Sequence, residues 1–176
     1  MTPCLHDLRG SADVLGLSPA QRGFTLIELV MVLILVGVLA VFAAPRFLAM
    51  NDLYARGFHD ETLAYLRYAH KTAIAQRRTV CATFTGTNMG LTVAAVAGAT
   101  SCGGTLIGPK GESPAAVSAK GGVSYSGTPI SFGFNGLGQP IDNAGLVLGA
   151  VDLPLIQVTG ASNSITVEPG TGYVHE

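Results

Sequence analysis

Residues 22–46 read RGFTLIELVMVLILVGVLAVFAAPR, and no other stretch of the 176-residue chain restricts its fold as strongly. A Gly-Phe junction, Gly23-Phe24, opens a run of about twenty mostly apolar residues, the length that spans a bilayer as a helix. One acid, Glu28, lies inside it. A carboxylate within such a helix costs about 2.5–3.5 kcal/mol on insertion scales, so Glu28 calls for a cationic partner. A cut after Gly23 creates one, because the new α-amine of Phe24 then lies one helical turn from Glu28.

Two other readings of the run explain less. A removable secretory signal wants a basic start, an apolar core of about 7–15 residues and a small-residue cut site. The run is longer, and Ala43-Ala44 is followed directly by Pro45. A plain single-pass anchor explains the length but neither Gly23-Phe24 nor Glu28. Orientation is weakly coded, since Arg22 and Arg46 flank the run on opposite sides.

The segment resembles the class III signal of type IV prepilins and type II secretion pseudopilins. Gly23, Phe24, Thr25-Leu26, Glu28 and Pro45 stand at the spacing of that motif. The resemblance implies that a prepilin peptidase cleaves between Gly23 and Phe24, that Phe24 is N-methylated, and that Glu28 pairs with charge during assembly. It also implies a leader over 1–23, a transmembrane and assembly helix over 24–45 with a kink at Pro45, and a periplasmic head. Cleavage would remove Cys4 with the leader and leave Cys81 and Cys102 as a pair. They are expected to form a disulfide, the alternative being two buried thiols. Closing that loop would contribute about 3 kcal/mol in the chain-entropy description.

Beyond the apolar run, residues 46–78 predict an amphipathic helix. Phe47, Met50, Tyr54, Phe58, Tyr65, Tyr68 and Ala69 share one line, and Arg56, Asp60, Arg67, Lys71 and Arg78 lie near the opposite side. The aromatic line is read as a core face. From residue 79 the pattern shortens to period two. Strands are expected over 79–85, 91–96, 123–126, 130–134, 146–151, 155–159 and 164–167, with Tyr173-Val174 closing a last hairpin. Clusters of Gly, Ser, Pro and Asn mark turns between them, and 108–122 reads as a long mobile loop. The expected architecture is α+β, the pilin fold: a long N-terminal helix packed on an antiparallel sheet, with a β-rich head over 79–176.

Three shorter stretches, LRYAHKTAIAQRRTV (66–80), SFGFNGLGQP (131–140) and SITVEPGTGYVHE (164–176), resemble the GspH/FimT-type minor pilins. What this implies is a structural subunit of a fibre, of the mannose-sensitive haemagglutinin (MSHA) pilus type, or a minor pseudopilin of a type II secretion system. The implied partners are the prepilin peptidase, other major and minor pilins, an inner-membrane platform protein with its assembly ATPase, and the membrane itself. A membrane-tethered adhesin or ligand-binding module is a third reading, and no residues mark a pocket for it.

No catalytic residue is expected. The sequence holds neither a Gly-x-Ser-x-Gly elbow nor a phosphate loop. His70 reads as a solvated histidine, and Asp142 and Asp152 as isolated turn acids. No cofactor and no metal are expected: there is no Cys-x-x-Cys pair for zinc, and Asp142-Asn143 is a thin basis for calcium. Nucleic acid is not an expected partner. The net charge is −1, and residues 170–176 contain no Lys or Arg to neutralise phosphates.

Overall fold

A computed structural model describes residues 23–48 and 50–176, with side chains described throughout except at 43–48. The chain forms two compact units, one ending at Phe42 and the other running Ala43–Glu176. Helix α1 (Leu26–Leu48) starts in the first. Its backbone stays helical through Pro45; the neighbouring Ala49 lies outside the described residues, as does the 1–22 portion of the expected leader.

The second unit contains helix α2 (Met50–Gln76) and nine described strands. They are β1 (Val80–Phe84), β2 (Asn88–Ala94), β3 (Cys102–Thr105), β4 (Ala116–Ser118), β5 (Phe132–Phe134), β6 (Pro140–Ile141), β7 (Ile156–Gln157), β8 (Ser164–Val167) and β9 (Val174–His175). The larger sheet has the order β3-β2-β1-β5-β6, with β4 also paired to β2, and the smaller one the order β7-β8-β9. Every pairing is antiparallel. This is the expected α+β layout, a helix packed on antiparallel sheet.

The buried face of α2 is Ala55, Phe58, His59, Thr62, Leu63, Tyr65, Leu66, Ala69, Thr72 and Ala73. Its centre lies roughly 75° around the helix from the expected aromatic line, at 100° per residue. The small residues Ala69 and Ala73 let the backbone approach β1. Phe58 and Tyr65 form one flank of the face, Tyr54 and Tyr68 are half-buried and Met50 is exposed. His70 is corrected as well: it is half-buried, edge-on to Phe134 at 5.3 Å, with Nε2 3.1 Å from the Thr171 carbonyl.

The core then continues through a file of rings. Phe58 meets Tyr125 at 4.8 Å, Tyr125 meets Phe84 at 5.6 Å, and Phe84, Phe132 and Phe134 follow at 6.0 and 5.4 Å. Such offset and edge contacts add about 0.5–1.5 kcal/mol per pair beyond area burial. The Tyr125 hydroxyl is satisfied inside this core. Thr62 donates to the Phe58 carbonyl at 2.7 Å, so its single proton is used and it accepts from Tyr125 at 3.0 Å. Burial pushes the Tyr125 phenol up to about 12.

Helix α2 ends at Gln76, two residues before the expected boundary. Arg77 takes the left-handed conformation at φ 51°. The amides of Arg77 and Arg78 donate to Ile74 and Ala73 carbonyls at 3.3 and 3.2 Å, closing a Schellman cap. Gly136 lies against this cap so closely that a Cβ there would be 2.9 Å from the Arg77 carbonyl carbon.

Three expectations for the β region are corrected. Residues 108–122 contain β4, and Ala115 and Val117 are buried. The Ala115 amide donates to Leu106 at 2.8 Å, the Leu91 amide to Ala115 at 2.9 Å, and the Tyr68 hydroxyl to Ile107 at 2.7 Å. The segment is thus stitched to both sheet and helix. Residues 123–126 form a single bridge, Tyr125 to Val158, instead of a strand. Residues 146–151 likewise contribute one bridge, Val147 to Ile141, while Leu146 and Val151 face outward.

Candidate functional site

The expected processing segment lies just ahead of the helix. Gly23, Phe24 and Thr25 precede α1, and all three are exposed. Among the described residues, none beyond its chain neighbours places an atom within 4 Å of where a Gly23 Cβ would stand. Thr25 is the N-cap: its Oγ1 accepts the Glu28 amide at 3.3 Å and its carbonyl accepts the Leu29 amide at 3.2 Å. Glu28 therefore sits in the first turn, where a negative charge opposes the positive end of the helix dipole. Thr25-x-x-Glu28 has the spacing of a capping box. Among the described residues no ion pair involves Glu28.

From Leu26 on, apolar side chains face outward all round the helix. Phe24 is 77% exposed, Leu26 82% and Phe42 70%, and the intervening Leu, Ile, Val and Met residues are exposed too. A helix apolar on every side is one that lipid or other helices must cover. Soluble monomers rarely expose continuous apolar patches beyond a few hundred Å². Among the described residues no helix is long and apolar enough to cross a membrane. The described side chains of α1 end at Phe42, short of the 24–45 span expected from the sequence.

Cys81 on β1 and Cys102 on β3 are joined in the structure, with Cα atoms 6.0 Å apart and a sequence separation of 21. β2 lies between the two strands. The bridge therefore closes around the end of β2, next to the bulge at Val93/Ala94. The same corner is fixed by Thr79 Oγ1, which donates to Ala99 at 2.6 Å, and by Arg78, whose guanidinium donates to the Ala94 carbonyl.

The remaining polar residues are engaged locally. Asp142 Oδ1 accepts the amides of Ala144 and Leu146, both at 2.8 Å, which makes it a turn residue with that oxygen committed to backbone. Asp152 accepts the Gly149 amide at 3.3 Å. Of the basic residues, Arg67 donates to the Val174 carbonyl at 3.0 Å and Lys110 pairs with Glu61. His175 places Nε2 2.8 Å from Glu168 and Nδ1 2.8 Å from the Glu176 carbonyl. These contacts, the backbone one first, raise its pKa. Among the described residues one trio of metal-ligand type converges: His59, Asp60 and Glu176. Periodicity gave no sign of it, because its members lie on α2 and at residue 176 and meet only in the folded chain.

Comparison with known proteins bears on the N-terminal region. Residues 18–44 match the family described as the prokaryotic N-terminal methylation motif. Over 57 residues the chain is 39% identical to the type IV narrow pilus major component PilA5 of Thermus thermophilus. That match covers 32% of this chain and 49% of the relative, about half its length. No solved structure matches. The motif and the relative together support the type IV pilin family.

Proposed function

We propose that the chain is a minor type IV pilin, a structural subunit that primes or modifies a fibre of the MSHA type. The observation that carries this reading is α1: apolar around its whole circumference, with one carboxylate in its first turn shortly after the Gly23-Phe24 junction. A surface of that kind needs lipid before assembly and neighbouring helices after it.

On this reading a prepilin peptidase cuts between Gly23 and Phe24 and the new amine is methylated. The helix over 24–45 holds the protein in the inner membrane with the C-terminal domain, the amphipathic helix over 46–78 and the β-rich head over 79–176, in the periplasm. An assembly ATPase and a platform protein then move it into the fibre. There Glu28 pairs with the Phe24 amine of an adjacent subunit. In an apolar surrounding an unpaired charge is costly, so this pairing fixes axial register. Pro45 lacks an amide proton and would allow α1 to bend where the bundled segment meets the head. The chemistry at Gly23-Phe24 is done to this protein, and its own role is structural. The match to a pilus component favours the pilus over a secretion pseudopilus. Minor status rests on the stretches 66–80, 131–140 and 164–176.

The test is co-expression with a prepilin peptidase. Gly23→Val should accumulate as uncut precursor on electrophoresis while the wild type shifts to the shorter form. Equal processing of the two would refute the assignment.

A further inference from the structure

His59 faces inward from α2, only 4% exposed. Its Nδ1 lies 3.2 Å from Asp60 Oδ1 and 3.9 Å from Glu176 Oε1. One ligand atom from each residue falls within a sphere of contacts no wider than 4.8 Å. Among the described residues His59 has no hydrogen-bond partner outside this trio, and its Nε2 is buried without one. Both carboxylates face the same ring nitrogen, Nδ1, so an ion held between them would sit on that side of the imidazole.

The trio opens into a groove of about 230 Å³ that Arg56, Ser162 and Asn163 also line. Asn163 Nδ2 donates to Glu176 Oε2 at 2.9 Å, which leaves Oε1 as the oxygen nearest His59. Oriented ligand carboxylates of this sort are the usual outer support of a metal site.

We propose that His59, Asp60 and Glu176 bind a divalent transition cation of the zinc class. Zinc bonds of about 2.0–2.2 Å to nitrogen and oxygen give a tetrahedron with edges of about 3.3–3.6 Å. The His59–Asp60 and His59–Glu176 separations bracket that range. One imidazole with two carboxylates suits zinc, cobalt or nickel, and leaves a fourth position for water or a neighbouring group. Two carboxylates against the single guanidinium of Arg56 leave the groove negative. A bound cation would clamp Glu176, directly after β9, onto α2.

Cobalt(II) tests this, because tetrahedral coordination gives strong visible bands. The full chain in detergent micelles, free of any affinity tag and stripped with a chelator, is titrated with Co²⁺. The wild type is expected to develop the bands at one equivalent. Asp60→Asn and Glu176→Gln, both conservative changes at exposed groups, should each weaken binding at least ~10-fold, the loss typical of disturbing a metal shell. His175→Gln, whose ring is held by Glu168, should bind like the wild type. Zn²⁺ should raise the unfolding temperature of the wild type and leave that of Glu176→Gln unmoved. Absence of the bands, or equal affinity in the wild type and both carboxylate variants, overturns the site.

Discussion

The Tyr65 hydroxyl on α2 donates to the carboxylate of Glu112, in the middle of the segment that joins β3 to β4. Lys110 completes the contact by pairing with Glu61 one turn earlier on the helix. Burial, and then the Glu112 contact, raises the Tyr65 phenol well above its ordinary value, and the same hydrogen bond lowers the Glu112 carboxyl. The sign follows from which form each group prefers in the fold. Glu112 is depressed, so its contribution is present above the ordinary carboxylate pKa and is lost as pH falls through the folded value. Tyr65 is raised, so its contribution is present below the ordinary phenol pKa and is lost as pH rises through the folded one. Residues 108–122 should therefore be best protected from amide exchange between those limits. Tyr65→Phe should speed exchange there with little change in β1 and β5. Uniform protection across pH, or unchanged exchange in the variant, would count against the tie.

Reduction should weaken the head. A bridge over 21 residues contributes about 3 kcal/mol in the chain-entropy description. Cys81→Ser/Cys102→Ser should lose about that much in denaturant titration, and the wild type should migrate faster without reductant than with it. Coincident bands and equal midpoints would mean that the two thiols are free.

Arg77 is the one described non-glycine residue with positive φ. A left-handed conformation costs an L-residue about 1–2 kcal/mol. Arg77→Gly should therefore stabilise the head by about 1 kcal/mol, reduced somewhat by the extra freedom glycine has when unfolded. Gly136→Ala should do the reverse, since a methyl there meets the Arg77 backbone. Thermal unfolding of both variants separates the two signs.

Leu66, on the sheet-facing side of α2, is completely buried. Leu66→Ala removes methyl groups from a packed core and should cost about 2–5 kcal/mol. Chemical denaturation reads this; a loss below about 1 kcal/mol would be inconsistent with the helix-on-sheet contact.

Much of the layout was legible because it follows from periodicity. The pattern of 164–167 became β8 without change, and the alternation around Val80, Ala82 and Phe84 became β1. What local pattern missed has physical causes. Gly103 and Gly104 disguised β3, whose pairing is set by Cys102 and by close approach to Val93. Ala115 and Val117 sit among Gly, Ser and Pro, and it is the pairing of their segment with β2, distant in sequence, that makes them core. The buried face of α2 is centred on Ala69 and Ala73 because small residues set the helix–sheet distance, which aromatic spacing cannot reveal. At the N-terminus the reverse holds. Gly23, Phe24 and Glu28 were legible as a motif, and the structure adds the Thr25 cap that starts α1 between them.

Glu28→Ala removes the proposed intersubunit partner of the Phe24 amine while leaving the Thr25 cap intact. The variant should be membrane-inserted and cleaved like the wild type but be depleted from sheared fibres. Incorporation at the wild-type level would argue against the pairing.

The mass and N-terminal sequence of the natural protein, purified from membranes, read the processing step itself. A chain beginning at N-methylated Phe24 is the predicted result. A chain that still begins at Met1 would contradict the account, because Glu28 would then have no Phe24 ammonium to meet.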